Sequence, residues 1–145
     1  MKINKLYITV GISCSGKSKF CKKHENHMKI VSLDKIKEEY PDENSVQIAF
    51  KLIDEHLKNG NVLFDANNCK SEHRLKLREL FNNEIIAILM DVNVNNSLHK
   101  LKKHHNKNEK MNLNTDTIKR QYFEYINDID KLNNDVDKII EINDF

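Results

Sequence analysis

The stretch Gly11-Ile12-Ser13-Cys14-Ser15-Gly16-Lys17-Ser18 sets two glycines, a lysine and a hydroxyl at the spacing G-x-x-x-x-G-K-[ST]. Gly11 and Gly16 let the backbone turn so tightly that its N–H groups converge on one concave nest. Joined to the N-terminus of a following helix, such a nest binds polyphosphate. On this reading Gly11, Ser13, Cys14, Ser15 and Gly16 cradle the phosphates, Lys17 reaches the β- and γ-phosphates, and the Ser18 hydroxyl holds Mg²⁺. The competing reading is a glycine turn before a helix, with Lys17 and Ser18 as ordinary surface residues. Context decides between them. Lys5 to Val10 is a β-rich apolar run, and Lys17 to His24 contains no helix breaker. Strand, glycine loop and helix is the order the chemistry requires, so the expected ligand is a nucleoside triphosphate.

Two aspartates extend the pattern. Asp34 ends the run Met28 to Leu33, and Asp65 ends Val62-Leu63-Phe64. In an open parallel sheet the carboxyl ends of the strands line one crevice. Asp65 is therefore expected to support Mg²⁺, and Asp34 to take the proton of an acceptor hydroxyl as general base. Each has a plainer alternative: Asp34 as the cap of the next helix, and Asp65 as the opening of the turn Ala66-Asn67-Asn68. A basic cluster, Lys100, Lys102, Lys103, His104, His105, Lys107 and Lys110, is the candidate lid, spanning about residues 100–114. Lys103 and Lys107 are its expected phosphate contacts. A solvated helix face is the alternative for any one of them. His104-His105 lacks the spacing of a zinc site.

The elements that must carry these groups alternate. Strands are expected at Lys5–Val10, Met28–Leu33, Asn61–Asp65, Glu84–Asp91 and Asp137–Ile142. Between them lie helices at Lys17–His24, Lys35–Tyr40, Ser71–Phe81, Ser97–His105 and Thr115–Asn127. A further helix capped by Ser45 buries Val46, Ala49, Phe50, Ile53 and Leu57. Leu75, Leu77 and Leu80 are the inward residues expected between Ser71 and Phe81. This is the pattern of an α/β protein with a parallel sheet and right-handed crossovers.

Composition narrows the class. The 145 residues suit one domain, 1–145, with 39% hydrophobic and 32% charged residues. A formal net charge of +2 does not by itself argue for nucleic acid. The three cysteines, Cys14, Cys21 and Cys69, follow no metal or disulfide spacing and suit reduced thiols in the cytoplasm. A helix N-terminus beside Cys14 can lower a thiol pKa, although a small residue filling a variable loop position is the simpler account. No apolar run is long enough to span a bilayer, and no obligate protein partner is implied. Asp65-Ala66-Asn67-Asn68 is not the Asp-x-x-Gly of a GTPase, and Asn106-Lys107-Asn108-Glu109 lacks the final Asp of a guanine-reading motif.

With these stretches in view, the sequence resembles the P-loop kinases related to phage polynucleotide 5′-hydroxyl kinase. The resemblance rests on Gly11 to Ser18, on Ser32-Leu33-Asp34-Lys35-Ile36-Lys37, on Val62 to Asn68 with Arg74 downstream, and on Asp137-Lys138-Ile139-Ile140. It implies a nucleoside/adenylate kinase-like fold with five parallel strands flanked by helices. It also implies ATP and Mg²⁺ at Lys17, Ser18 and Asp65, and a 5′-hydroxyl end of DNA or RNA activated by Asp34. Lys37 stands where the family places an acceptor-side arginine, and Arg74 matches a family arginine on the substrate side. Arg74, Arg78 and Arg120 are the only arginines, so lid arginines are missing. Lysine supplies charge there without the bidentate fork. The functions in competition are a polynucleotide 5′-kinase of nucleic-acid repair, a kinase for a small acceptor, and a non-catalytic ATP-binding module.

Overall fold

Runs of Val, Ile and Leu that no polar residue interrupts are buried on both faces, which suits strands of a parallel sheet covered by helices. A computed structural model describes residues 2–106 and 114–145. The strands are β1 (Lys2–Val10), β2 (Lys29–Ser32), β3 (Val62–Asp65), β4 (Asn83–Leu89) and β5 (Lys138–Glu141). They form one sheet in the order β2-β3-β1-β4-β5. Every neighbouring pair is parallel, and the register sets Ser32 beside Asp65 and Ile8 beside Phe64. The helices are α1 (Lys17–His24), α2 (Leu33–Glu39), α3 (Ser45–Leu57), α4 (Ser71–Leu80), α5 (Val94–Asn106), α6 (Thr115–Asp128) and the short α7 (Leu132–Asp135).

On one side the core joins Leu6, Ile8 and Val10 of β1 to Ala49, Ile53 and Leu57 of α3 and to Leu77 of α4. On the other, Phe20 and Cys21 of α1 meet Leu63, Ile86, Ile88 and Met90. Ile12 from the glycine loop joins Leu101 of α5 and Ile118 of α6 in a third cluster. The loop is thus nailed to two helices by its own apolar side chain.

Three local expectations are corrected. Asn44, not Ser45, caps α3, accepting a hydrogen bond from the Gln47 N–H at 3.2 Å. Asp34 does not cap α2; Ser32 is the N-cap residue and Asp34 lies in the first turn. Finally, α4 turns Ser71, Arg74 and Leu77 inward, leaving Leu75 and Leu80 about half exposed. The i, i+3 row wins because a carboxylate and three carbonyls inside the fold receive the Arg74 guanidinium.

Candidate active site

The loop after β1 closes tightly because its chain conformations are unusual. Cys14 has φ 61° and Gly16 φ 97°, left-handed values that alternate with ordinary ones and turn successive N–H groups toward one side. Gly16 also ends the loop as the residue before α1. Gly11 is required for another reason: a Cβ there would lie 2.7 Å from Cβ of Met90. The loop is fastened below by Gly11 N–H donating to the Asn67 carbonyl at 3.0 Å. Asn68, itself at φ 49°, donates from Nδ2 to the Thr9 carbonyl at 2.9 Å. The segment after β3 is therefore a strap under the phosphate loop, tied by backbone and side chain.

Lys17 lies almost wholly inside this nest. Its Nζ donates to the carbonyls of Gly11 and Ile12 at 3.1 and 2.7 Å and to Oδ1 of Asn67 at 2.6 Å. Three acceptors match the three protons of an ammonium. Burial lowers the Lys17 pKa, opposed chiefly by the negative charge of Asp65. Burial likewise raises the Asp65 pKa, opposed by Lys17 and by a hydrogen bond from Ser32. The two groups are a mutually compensating, half-desolvated pair at the end of β3.

The sheet order brings the carboxyl ends of β2, β3 and β1 side by side, and with them Asp34, Asp65 and the loop. Asp34, Lys37 and Ser18 are exposed, so all three are open to ligands. Ser13, Cys14 and Ser15 are half-buried along the loop, where the Ser15 hydroxyl donates back to the Ile12 carbonyl at 2.6 Å. Burial raises the Cys14 thiol pKa despite Lys17 and Lys100 nearby, so the thiolate-favouring effect of the helix end does not prevail. Cys21 and Cys69 are buried free thiols, pushed up to about 12 and about 11 mainly by burial.

Arg74 does not reach the site. It is fully buried, with Nε and Nη2 each 3.0 Å from Oδ2 of Asp135. Nη1 donates to the carbonyls of Asn68 and Cys69 at 2.9 and 2.8 Å, and Nη2 to that of Asp128 at 2.7 Å. It holds up the strap from beneath and has no donor to spare for a substrate. Lys103 is exposed near the end of α5. The helix meets the loop through Ser97, whose Oγ donates to the Cys14 carbonyl at 3.2 Å. At about 100° of rotation per residue, Lys100 shares the Ser97 side and Lys103 does not. Lys107 and Lys110 lie outside the described residues.

Residues passed over by motif reading also build the site. Asn67 and Asn68 lie within a motif stretch without a role of their own in it, and neither Ser97 nor Gln121 belongs to a motif. Gln121 of α6 accepts the Ser13 N–H at 2.8 Å and is 7% exposed. A signal for it exists: Gln121 stands one turn from Ile118 on the inward stripe of α6, a polar residue at an apolar position.

A family model described as an AAA domain matches residues 6–125. None of the curated proteins compared matches the sequence. Among solved structures, a chain of the Pnkp1/Rnl/Hen1 RNA repair complex superposes with a TM-score of 0.76 at 19% identity, over 90% of this chain and 47% of that one. The protein thus spans about half the length of that neighbour. A gluconokinase from Sinorhizobium meliloti 1021 follows at TM-score 0.64 and 15% identity, over 98% of this chain and 85% of that one. A shikimate kinase from Bacteroides thetaiotaomicron gives 0.55 and 10%, over 96% and 86% of the two chains. At such identities the likeness is one of fold: a P-loop NTPase of the kinase type.

Proposed function

The chain belongs to the AAA domain family, and from that premise we propose that it is an ATP-dependent kinase transferring the γ-phosphoryl group to a 5′-hydroxyl end of DNA or RNA. The observation that carries the reading is the meeting of three parts at neighbouring strand ends: a phosphate nest with Lys17 buried in it, the half-buried Asp65 closing β3, and the open carboxylate of Asp34. The residues fit ATP and Mg²⁺. The left-handed turns at Cys14 and Gly16 turn backbone N–H donors toward one side, as an anion requires, and Ser18 with Asp65 offers the oxygen donors a hard cation takes.

In this reading Lys17 exchanges the Gly11 and Ile12 carbonyls and Asn67 for phosphate oxygens, and the loop N–H groups hold the rest of the polyphosphate. Mg²⁺, held by Ser18 and Asp65, supplies charge neutralisation when bound. Asp34 accepts the proton from the attacking hydroxyl, aligning it for in-line transfer. Lys37, one turn along α2 from Asp34, attracts the phosphates of the acceptor strand. The likeness to a chain of the RNA repair complex and the placing of Lys37 one turn from Asp34 both favour a nucleic-acid acceptor. A small-acceptor kinase is the second reading, favoured by size, because this chain covers 85% of the gluconokinase and 86% of the shikimate kinase.

The test is transfer of radiolabel from the γ-phosphate of ATP, with Mg²⁺, to 5′-hydroxyl DNA and RNA oligonucleotides, nucleosides, nucleotides and sugar acids. The oligonucleotides are expected to take the label. Asp34→Asn should lower the rate by about 10²- to 10⁴-fold while ATP still binds, and Lys17→Ala should abolish transfer. Label confined to small acceptors would replace the first reading with the second. ATP bound with no transfer to any acceptor would leave a binding module.

A further inference from the structure

Gln121 is the one side chain of α6 that grips the phosphate loop through a polar atom among the described residues. A backbone N–H can only donate, so the carboxamide must turn Oε1 toward Ser13, and Nε2 is left as a pair of donors. No hydrogen-bond partner for Nε2 stands among the described residues. Burying an unpaired amide is costly, yet Asn83 Oδ1 is the sole fully enclosed side-chain polar atom without a partner among those residues. Nε2 of Gln121 therefore retains an opening to solvent, although the residue is 7% exposed. It lies beside the loop, because the two ends of a carboxamide are separated by a single bond angle.

Helix α6 also differs from α5 in what it offers the loop. The Ser97 hydroxyl of α5 donates a hydrogen bond to the Cys14 carbonyl, which commits its one donor. Gln121 accepts the Ser13 N–H and has two donors without a partner among the described residues. Such a group, nine-tenths buried next to a nest of N–H groups, is organised to receive an anion without a further loss of side-chain freedom.

We propose that Gln121 is a positioning residue for bound nucleotide: Oε1 holds the Ser13 amide in the nest, and Nε2 donates to a phosphate oxygen of the polyphosphate. The inference rests on the ATP-binding reading above. It links α6 directly to nucleotide occupancy, because the same carboxamide joins helix, loop and ligand.

The side-chain NH₂ of Gln121 gives a resolvable pair of signals in ¹H–¹⁵N spectra, assigned by their loss in Gln121→Glu. Titration of the full chain with ATP and Mg²⁺ should shift this pair together with the backbone amides of Cys14, Gly16 and Lys17. Gln121→Glu keeps an oxygen for Ser13 N–H and replaces the donors with an anion, so ATP affinity should fall by about tenfold or more, the scale of one hydrogen bond to a charged group. Its melting temperature should stay near that of the unaltered chain. Gln121→Met removes both roles, lowering affinity and stability together. Loop amides that shift while the Gln121 NH₂ pair stays still would overturn the inference and leave ATP binding intact. Unaltered ATP affinity in Gln121→Glu would also overturn it. A titration in which no loop amide moves would refute the ATP site itself, and this inference with it.

Discussion

Arg74 spends every donor inside the protein, and its energetics follow from that. Asp135 receives two of its N–H groups, and three carbonyls of the strap and of α6 receive the others. Removing one partner of such a buried pair leaves an uncompensated charge, at a cost of about 3–5 kcal/mol. Arg74→Ala should therefore lower the urea midpoint steeply, and Arg74→Ala with Asp135→Ala should cost less than the sum of the single changes. An Arg74→Ala chain with unaltered stability and a raised KM for acceptor would return the arginine to the substrate side. The strap explains why the residue looks functional in sequence: it holds Asn68 and Cys69, whose neighbour Asn67 holds Lys17. Arg74 is thus connected to the phosphate site by hydrogen bonds without touching it.

The phosphate loop shows how an element imposes residue types. Its left-handed turns at Cys14 and Gly16 are backbone requirements, and its contact with Met90 is a packing requirement at Gly11. A methyl at Gly11 meets Met90 Cβ at 2.7 Å, so Gly11→Ala should destabilise by about 1–3 kcal/mol, the usual cost of overpacking. Met90→Ala leaves its Cβ in place but removes Cγ, which stands 2.8 Å from that methyl, so the double variant should recover part of the loss. Thermal melts of the four proteins in the cycle measure the coupling, and additive effects would refute the clash. The helices α5 and α6 add to the loop from above through Ser97 and Gln121, while the strap after β3 supports it from below.

Across the whole molecule, charge ties the edges of the fold together. Asp137 sits before β5, where burial raises its pKa but the Ile85 N–H and Arg78 outweigh it and leave the carboxyl below its usual value. Asp128 at the end of α6 is lowered chiefly by the Ser71 N–H at the start of α4, against a smaller opposing effect of burial. For a depressed carboxyl the stabilisation is present above the unfolded pKa, about 3.9, and is lost as pH falls through the folded value. Asp65 has the opposite sign: its raised pKa means that protonation relieves burial as pH falls. Stability should thus decline below about pH 4, and Asp137→Asn should flatten that decline. Urea midpoints across this range would test it, and an equally steep decline in Asp137→Asn would overturn the assignment. No helix among the described residues is long and apolar enough to cross a membrane.

The sequence by itself determined the parts whose signals are local. Gly11 to Ser18 declared its loop because the turn demands glycine at set positions, and the uninterrupted apolar runs declared parallel strands because both faces are covered. Alternation of strand and helix declared the α/β class, the motif stretches carried the kinase resemblance, and Asp34 and Asp65 stood out as candidates by their places after the strands. Tertiary structure decided which side of each helix turns inward and what each long side chain meets. On α4, spacing allowed Leu75 and Leu80 or Arg74 to be buried, and only Asp135, some 61 residues away, made the arginine the choice. The role of Gln121 likewise depends on Ser13, 108 residues distant. A periodic pattern records the solvent-facing side of a helix, but the partner of a buried polar group lies on another element, and no spacing within its own helix encodes it.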